Sequence, residues 1–161
     1  MTGVQTCALP IWIQTGKALG GAALRHLQFT QPCGDVKISA LKQPVSLPLK
    51  KDLPPDRLLS VGKDSETQDT EIQVLRIGDV YIVGLPGEVL VEIGLEIKSK
   101  AGIENLFVVS LANDAVGYVC PRAAYKEGGY EPGAGTNLAP GAGEIVTERA
   151  LQLIEQLKQG T

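Results

Sequence analysis

The segment EIQVLRIGDVYIVGL, residues 71–85, decides the fold, because two runs of aliphatic and aromatic residues flank one Gly-Asp pair. β-Branched and aromatic residues are enriched in strands, and a dipeptide such as Gly78-Asp79 between two such runs is typical of a tight hairpin turn. Residues 71–85 are therefore predicted to form an antiparallel hairpin whose second strand stops at Pro86-Gly87.

Downstream of this hairpin, helices and a further strand are predicted to alternate. The residue pattern predicts a helix over residues 88–100 and a helical turn over residues 122–126. A valine-rich run over residues 106–111 predicts a strand buried on both faces. Residues 128–143 are dense in glycine and proline and predict a surface or lid loop. Residues 144–158 predict a closing amphipathic helix, with an apolar stripe of Val146, Ala150, Leu153, Ile154 and Leu157.

Upstream of the hairpin the pattern is less regular. Residues 12–27 have apolar side chains at a helical spacing of four. Apolar and polar residues alternate over residues 36–40, as in a strand with one solvent-exposed face. Four prolines predict that residues 43–57 form an extended connector outside the sheet, because proline removes ladder hydrogen bonds. Residues 61–70 are polar and predict a surface loop. This order of elements predicts an α/β or α+β fold, in which a mixed sheet is layered with helices.

The first eleven residues, MTGVQTCALPI, resemble a translated sequencing adapter and are expected to be non-native. A rival interpretation, the start of a signal peptide, is weaker because no basic residue precedes the apolar run. Residues 12–161 are then the native part, which has the size of one domain or of half a larger one.

Composition excludes several classes of function. A hydrophobic content of 43% is enough for a folded core. The formal net charge is −3 and no cationic cluster exceeds Lys50-Lys51, which argues against a nucleic-acid partner. No apolar run approaches the ~18 residues of a membrane helix. Outside the adapter-like segment, Cys33 and Cys120 are too few for a disulfide framework or a cysteine-type zinc motif, and Cys120 is expected to be a small buried residue.

Oxygen-bearing side chains follow two of the predicted strands. Glu88 comes after the turn at Pro86-Gly87, and Asn113-Asp114 and Tyr118 come after the next strand. Because open α/β sheets place ligands beyond the carboxyl ends of their strands, Glu88 and Tyr118 are expected to lie close together.

The residue types also allow structural interpretations without chemistry. Glu88 in a first helical turn would complement the helix dipole, or would form a solvated acidic face with Glu92 and Glu96. Tyr118 would be a partly buried core tyrosine whose hydroxyl bonds to a neighbour. Asn113-Asp114 would be a turn that bonds its own backbone. The pairs Gly133/Gly135 and Gly141/Gly143 do not complete a nucleotide-binding G-x-G-x-x-G motif.

Three motifs in order resemble the catalytic domain of the neutral/alkaline, non-lysosomal ceramidase family. They are Pro-Gly-Glu88-Val-Leu, then Val-Val-Ser-Leu-Ala-Asn113-Asp-Ala-Val-Gly-Tyr118-Val, then Ala-Ala-Tyr125-Lys-Glu-Gly-Gly-Tyr130-Glu131. That family holds one zinc ion with two histidines, a glutamate and a tyrosine. The resemblance implies that Glu88 and Tyr118 are metal ligands, that Tyr125 and Tyr130 line the substrate pocket, and that Gly87 and Asn113 support the site.

The same resemblance implies a zinc-dependent hydrolase that cleaves the amide bond of an N-acyl lipid such as ceramide, reached from a membrane surface. It implies a secreted or periplasmic protein. The chain departs from the family in one respect, because it ends near Lys158, where ceramidases continue into an immunoglobulin-like domain that is not expected here. The family's two histidines precede this region, and His26, the one histidine here, is expected to be a surface residue. The chain is thus expected to be the C-terminal part of a catalytic domain and inactive alone. The alternative is a non-catalytic α/β binding or structural module in which Glu88 and Tyr118 only cap and pack.

Overall fold

The structure is a computed structural model that describes residues 5–32, 34–57 and 65–160. The chain divides into two units, Met1–Asp35 and Val36–Thr161. In the first unit, helix α1 (Gln5–Leu27) confirms the helix predicted for residues 12–27 and begins further upstream, with Pro10 inside it. The Thr30 hydroxyl donates to the His26 carbonyl at 3.1 Å just beyond the helix end. Whether residues 1–11 are non-native stays a prediction.

The second unit is built on a four-stranded mixed sheet, which confirms the predicted fold class. The described strands are β1 (Ile38–Pro48), β2 (Thr67–Ile77), β3 (Val80–Gly84), β4 (Glu88–Val89), β5 (Leu106–Val109) and β6 (Tyr118–Val119). The order in the four-stranded sheet is β1-β2-β3-β5; β2 is antiparallel to both β1 and β3, and β5 is parallel to β3. A second sheet pairs β4 with β6 in parallel.

The predicted hairpin is confirmed, because β2 and β3 pair from Ile77 opposite Val80 to Gln73 opposite Gly84. Gly78 takes the left-handed conformation of the turn, with φ of 62°. The loop predicted for residues 61–70 is wrong for its last four residues, since β2 begins at Thr67. Residues 61–64 of that loop lie outside the described part of the chain.

The prediction that residues 43–57 form an extended connector outside the sheet is wrong for residues 43–48, which belong to β1, and for residues 55–57, which are helical. Proline is tolerated there because β1 is an edge strand that pairs only with β2 in this sheet. The Leu49 amide donates towards β2, to the Glu66 carbonyl at 2.9 Å, whereas the Lys50 amide donates away from it, to the Asn137 carbonyl at 2.9 Å. By this alternation Pro44 and Pro48 share the outward side, where no β2 hydrogen bond is lost.

In the described part of the second unit, residues 55–57 are helical, and three further helices follow: α2 (Val91–Ala101), α3 (Ala124–Glu127) and α4 (Ala142–Gln159). The helix predicted from residue 88 is corrected at its start, because Glu88 lies in β4 and Leu90 is the N-cap of α2. The helical turn near residues 122–126 is confirmed. The amphipathic helix is confirmed too, and its predicted stripe is buried: Val146, Ala150, Leu153, Ile154 and Leu157.

The core lies between one face of the sheet and the helices α2 and α4, which pack against each other. Alternate residues of β2, Ile72 and Val74, are fully buried on that face. The prediction that the valine-rich strand is buried on both faces is wrong, because Phe107 is 58% exposed and Val109 43% exposed. β5 is the last strand of the sheet and only one face of it is covered. Within the described residues no helix is long and apolar enough to cross a membrane.

Candidate metal centre

A two-residue parallel ladder forms the base of the site. Glu88 of β4 is the direct partner of Tyr118 of β6. The Glu88 amide donates to the Gly117 carbonyl at 2.9 Å, and the Leu90 amide donates to the Val119 carbonyl at 3.1 Å. Partners in adjacent strands are about 4.8 Å apart and project to the same side of a sheet. The ladder therefore places the Glu88 and Tyr118 side chains next to each other.

Gly87 allows the chain to enter this ladder. Its φ is +79°, and a Cβ atom there would lie 2.3 Å from the Gly117 carbonyl oxygen and 2.9 Å from Cγ2 of Val116. The Gly87 amide donates to the Asp114 carbonyl at 3.1 Å, and its carbonyl accepts from the Leu111 amide at 2.9 Å. Only glycine combines this conformation with this close approach, so the expected supporting role of Gly87 has a definite geometry.

The structure brings the Glu88 and Tyr118 side chains together. Hydrogen bonding with the nearby Glu88 carboxylate, together with the charge of that carboxylate, raises the pKa of Tyr118. Both side chains line an open groove of about 580 Å³, together with Glu92, Ser110 and Glu131. The expected convergence of the two groups is therefore present, while their ligation of zinc stays a prediction.

Two of the structural interpretations of Glu88 are wrong. Glu88 precedes α2, so it does not complement the dipole of that helix from its first turn, where Glu92 is the acidic residue. It is also not one step of a helical acidic face with Glu92 and Glu96. On that face Glu96 bonds to Lys100 at 2.5 Å, as a solvent-exposed pair of the kind that contributes only a few tenths of a kcal/mol. Glu88 is thus available to the groove.

The turn at Asn113-Asp114 ties the loop after β5 to β2. Asn113 has a left-handed backbone, with φ of 70°, and its side-chain amide donates to the Gln73 side chain at 3.1 Å. Asp114 accepts from the Ala115 amide at 2.7 Å, which confirms that it bonds its own backbone. Its other oxygen accepts from the Thr70 hydroxyl at 2.7 Å. Asn113 therefore supports the loop that leads to Tyr118 without lining the groove.

The segment of residues 128–141, here called the glycine loop, packs against the Tyr118 ring. A Cβ atom at Gly135 would lie 2.7 Å from Cδ2 of Tyr118, and the Tyr118 amide donates to the Gly135 carbonyl at 3.4 Å. The Tyr130 ring meets the Tyr118 ring edge-on, with centroids 6.0 Å apart. Glu131 adds negative charge that also raises the pKa of Tyr118. The predicted surface or lid loop thus forms one wall of the site.

The two tyrosines expected to contact substrate occupy different places. The Tyr125 hydroxyl donates to the Leu138 carbonyl at 2.9 Å, and burial raises the pKa of Tyr125 to about 12. Tyr130 is 64% exposed and borders a second, polar groove that also includes Arg57 and Gln68. Tyr125 is engaged in holding the glycine loop and Tyr130 is open to solvent, and substrate contact by either residue stays a prediction.

Sequence reasoning missed the cations that hold the glycine loop. Lys50 and Arg57 both donate to backbone carbonyls of this loop, from positions more than 70 residues away in the chain. In the sequence Lys50-Lys51 is simply the largest cationic cluster, and a contact over such a separation leaves no local pattern.

The remaining candidate ligands do not join Glu88 and Tyr118. Across residues 5–32, 34–57 and 65–160, no group of three or more His, Cys, Asp and Glu side chains is placed to hold a metal ion. His26 is exposed on α1, as expected for a surface histidine. Cys120 directly follows β6 and is fully buried, as expected for a small core residue. Glu88 and Tyr118 are thus two oxygen donors that need partners from elsewhere to complete a zinc site.

The reactivity of the Cys120 thiol reports on the packing below the site, because this side chain is fully buried. Burial, with added repulsion from Glu131, raises the pKa of the Cys120 thiol to about 11. A rise of about two units lowers the thiolate fraction near pH 8 about 100-fold, and the thiolate is the reactive form. We expect Cys120 to resist alkylation by iodoacetamide at pH 8 and to react readily in denaturant, as measured by peptide mass spectrometry. Rapid labelling of the folded chain would contradict the burial.

Two solved structures share this fold. One, described as "Ceramidase complexed with C2", has a TM-score of 0.52 and 22% identity, covering 70% of this chain and 20% of that chain. The other is the neutral ceramidase from Pseudomonas aeruginosa, with a TM-score of 0.57 and 17% identity, covering 77% of this chain and 29% of that chain. The chain therefore spans less than a third of either matched protein. No protein-family model matches the chain, and no curated protein matches it.

Proposed function

We propose that this chain supplies the glutamate and the tyrosine of a zinc centre in an amide hydrolase that resembles neutral ceramidase. The observation that carries the proposal is the direct pairing of Glu88 with Tyr118 on adjacent parallel strands, with both side chains lining one open groove. The shared fold with two ceramidase structures supports it.

The Glu88 carboxylate and the Tyr118 phenol are donor types that zinc accepts, but two donors are too few for a zinc site. Zinc accepts carboxylate oxygens at about 2.0–2.2 Å, and catalytic sites use three or more protein ligands with one position left open. Glu88 and Tyr118 provide two, and we propose that histidines of a longer protein provide the others. Bound in such a site, zinc would polarise the amide carbonyl and activate water for attack on it. Ligation by Tyr118 requires its phenolate, so zinc would have to displace the phenol proton, and without metal the nearby Glu88 carboxylate disfavours the loss of that proton.

The groove around the pair has features that suit a lipid amide. Beside the polar atoms of Glu88 and Tyr118 it is lined by apolar residues, among them Leu90, Val91 and Leu111. Val91 is 67% exposed and Leu111 57% exposed, so both offer apolar surface beside the polar pair. Such surface would accept the hydrocarbon of an N-acyl group, while the polar end holds the scissile amide. The substrate class proposed is therefore an N-acyl lipid such as ceramide.

The proposal is tested by metal removal in a longer protein that contains this chain. We expect the purified protein to retain about one zinc per polypeptide in metal analysis, and to release fatty acid from a short-chain ceramide. A strong chelator should abolish the hydrolysis and added zinc should restore it. Hydrolysis that persists after complete removal of metal would contradict the zinc mechanism. Absence of both zinc and hydrolysis would favour the non-catalytic module, in which Glu88 and Tyr118 only cap and pack.

A further inference from the structure

We infer that Lys50 is a positioning residue for Tyr118, acting through the glycine loop; the inference rests on the proposed function of the Glu88–Tyr118 pair. The Lys50 ammonium donates to the carbonyl oxygens of Pro132 at 2.7 Å, Gly133 at 2.6 Å and Thr136 at 2.9 Å. An ammonium group has three donors and no acceptor. All three are therefore used on one short segment of the glycine loop.

The backbone around Lys50 aims its side chain into the loop. The Lys50 amide donates to the Asn137 carbonyl at 2.9 Å, and the Ala139 amide donates to the Pro48 carbonyl at 2.8 Å. The end of β1 is thus fastened to the final part of the loop, and the half-buried side chain continues beneath it. The Tyr125 ring lies 5.9 Å from the ammonium, at cation–π distance. Burial and the nearby Arg57 lower the pKa of Lys50.

The segment that Lys50 holds is the one that presses on Tyr118. Within it the Gly135 amide donates to the Tyr130 carbonyl at 2.7 Å, which closes the loop into a compact turn. The inner side of this turn meets the Tyr118 ring at Gly135, and the turn carries Tyr130 and Glu131 beside that ring. Loss of the ammonium would leave three carbonyls without their donor and would release this wall. The β4–β6 ladder fixes the main chain of both Glu88 and Tyr118, whereas the turn contacts the Tyr118 ring, so Lys50 acts on the tyrosine side chain of the pair.

The geometry distinguishes an ammonium from other cations. Three carbonyl oxygens converge on one nitrogen, which suits a compact ammonium with three rotatable donors. Arginine presents its donors in a planar fork and cannot direct three of them to a single point. Lys50→Arg should therefore fail to replace lysine. A small alkylammonium ion can occupy the same point in Lys50→Ala, so propylammonium should restore the contacts that the substitution removes.

The experiment follows Tyr118 directly by ¹⁹F NMR of chain labelled with fluorotyrosine, in which four tyrosines give the signals. Tyr118→Phe assigns the Tyr118 resonance. We expect Lys50→Ala to move the Tyr118, Tyr125 and Tyr130 resonances towards that of free fluorotyrosine, and Tyr81, buried in β3, to stay in place. Propylammonium should return the Tyr118 resonance to its original position, and Lys50→Arg should not. Lys42→Ala is the matched control, because Lys42 lies on β1, the strand that leads to Lys50, in an exposed pair with Glu71.

Several outcomes would overturn the assignment. An unmoved Tyr118 resonance in Lys50→Ala would do so, as would a displaced resonance that propylammonium leaves unchanged. If Lys50→Ala also loses the Tyr81 signal, Lys50→Met, which keeps the aliphatic stem, decides: displacement of Tyr118 with Tyr81 intact supports the role, and any other result rejects it.

Zinc measurements separate this inference from the proposed function. In the longer protein Lys50→Met should weaken zinc affinity about 10–100-fold, the usual cost of losing a group that orients a ligand. If Tyr118 moves in the Lys50 variants but the parent protein binds no zinc, Lys50 still positions Tyr118 and the metal proposal fails. If zinc binds and Tyr118 does not move, the metal proposal stands and the role of Lys50 is rejected.

Discussion

Replacement of Gly87 by alanine is expected to lower the free energy of unfolding by about 2–5 kcal/mol, a large share of the stability of a small domain. Two costs add. A left-handed backbone with φ of +79° costs a residue with a Cβ atom about 1–2 kcal/mol. That Cβ would also lie 2.3 Å from the Gly117 carbonyl oxygen, so the backbone of the β4–β6 ladder must move, at about 1–3 kcal/mol. Urea denaturation followed by circular dichroism measures the loss.

Gly102→Ala is the matched control for this prediction. Gly102 caps α2 with φ of +60°, but a Cβ atom there meets nothing within 4 Å. Only the conformational cost of about 1–2 kcal/mol should appear. Equal losses in the two variants would show that the close approach at Gly87 contributes nothing, and that the ladder accommodates a methyl group.

Glu88→Gln and Tyr118→Phe are each expected to weaken zinc binding by more than about 100-fold in a longer protein that contains this chain. Even residues that only orient metal ligands cost about 10–100-fold when replaced, so loss of a ligand oxygen should cost more. Both variants keep the size of the native side chain, so the fold should survive. Zinc affinity measured by competition with a chromophoric chelator, with amide hydrolysis followed in parallel, tests the prediction.

Glu92→Gln serves as the control for these variants. Glu92 lines the same groove but belongs to the first turn of α2, outside the β4–β6 ladder. The Glu92→Gln substitution removes the same charge from the groove as Glu88→Gln does. It should leave the zinc affinity within a few fold of that of the unsubstituted protein. If Glu92→Gln and Glu88→Gln weaken zinc equally, the effect is one of general charge and Glu88 is not a ligand. If Glu88→Gln lowers only the unfolding free energy, the pair is a packing contact.

Elements with a strong local pattern could be predicted from the sequence. The hairpin around Gly78 and the apolar stripe of α4 both follow from periodicity, and both are present. Pro44 and Pro48 led to the wrong prediction that residues 43–48 lie outside the sheet. A proline is incompatible with a strand only where its missing amide N–H would face a partner strand. Which side of β1 stays open depends on sheet order, and sheet order is a long-range property. Phe107 misled for the same reason, since its run is apolar although β5 is an edge strand.

The candidate site could be predicted in part. Glu88 and Tyr118 were identifiable because each follows a strand-like run, and the structure places them side by side. The ladder between them could not be predicted, since a two-residue strand is too short to show any period. The close approach of Gly135 to Tyr118 and the hydrogen bonds from Lys50 to the glycine loop also have no local sequence pattern that predicts them. These contacts join segments that are distant in the chain and lack a repeat.

The parallel pairing of Glu88 with Tyr118 also fixes the distance between these two residues. The distance between their Cα atoms is a main-chain quantity, set by the spacing of neighbouring strands at about 4.8 Å. Substitutions elsewhere in the helices or the core change the stability of the domain without resetting that distance. If the two residues bind one metal ion as proposed, their side-chain lengths are the remaining variable. A cation of another radius would then be accommodated by replacing glutamate with aspartate, without a change in the main chain.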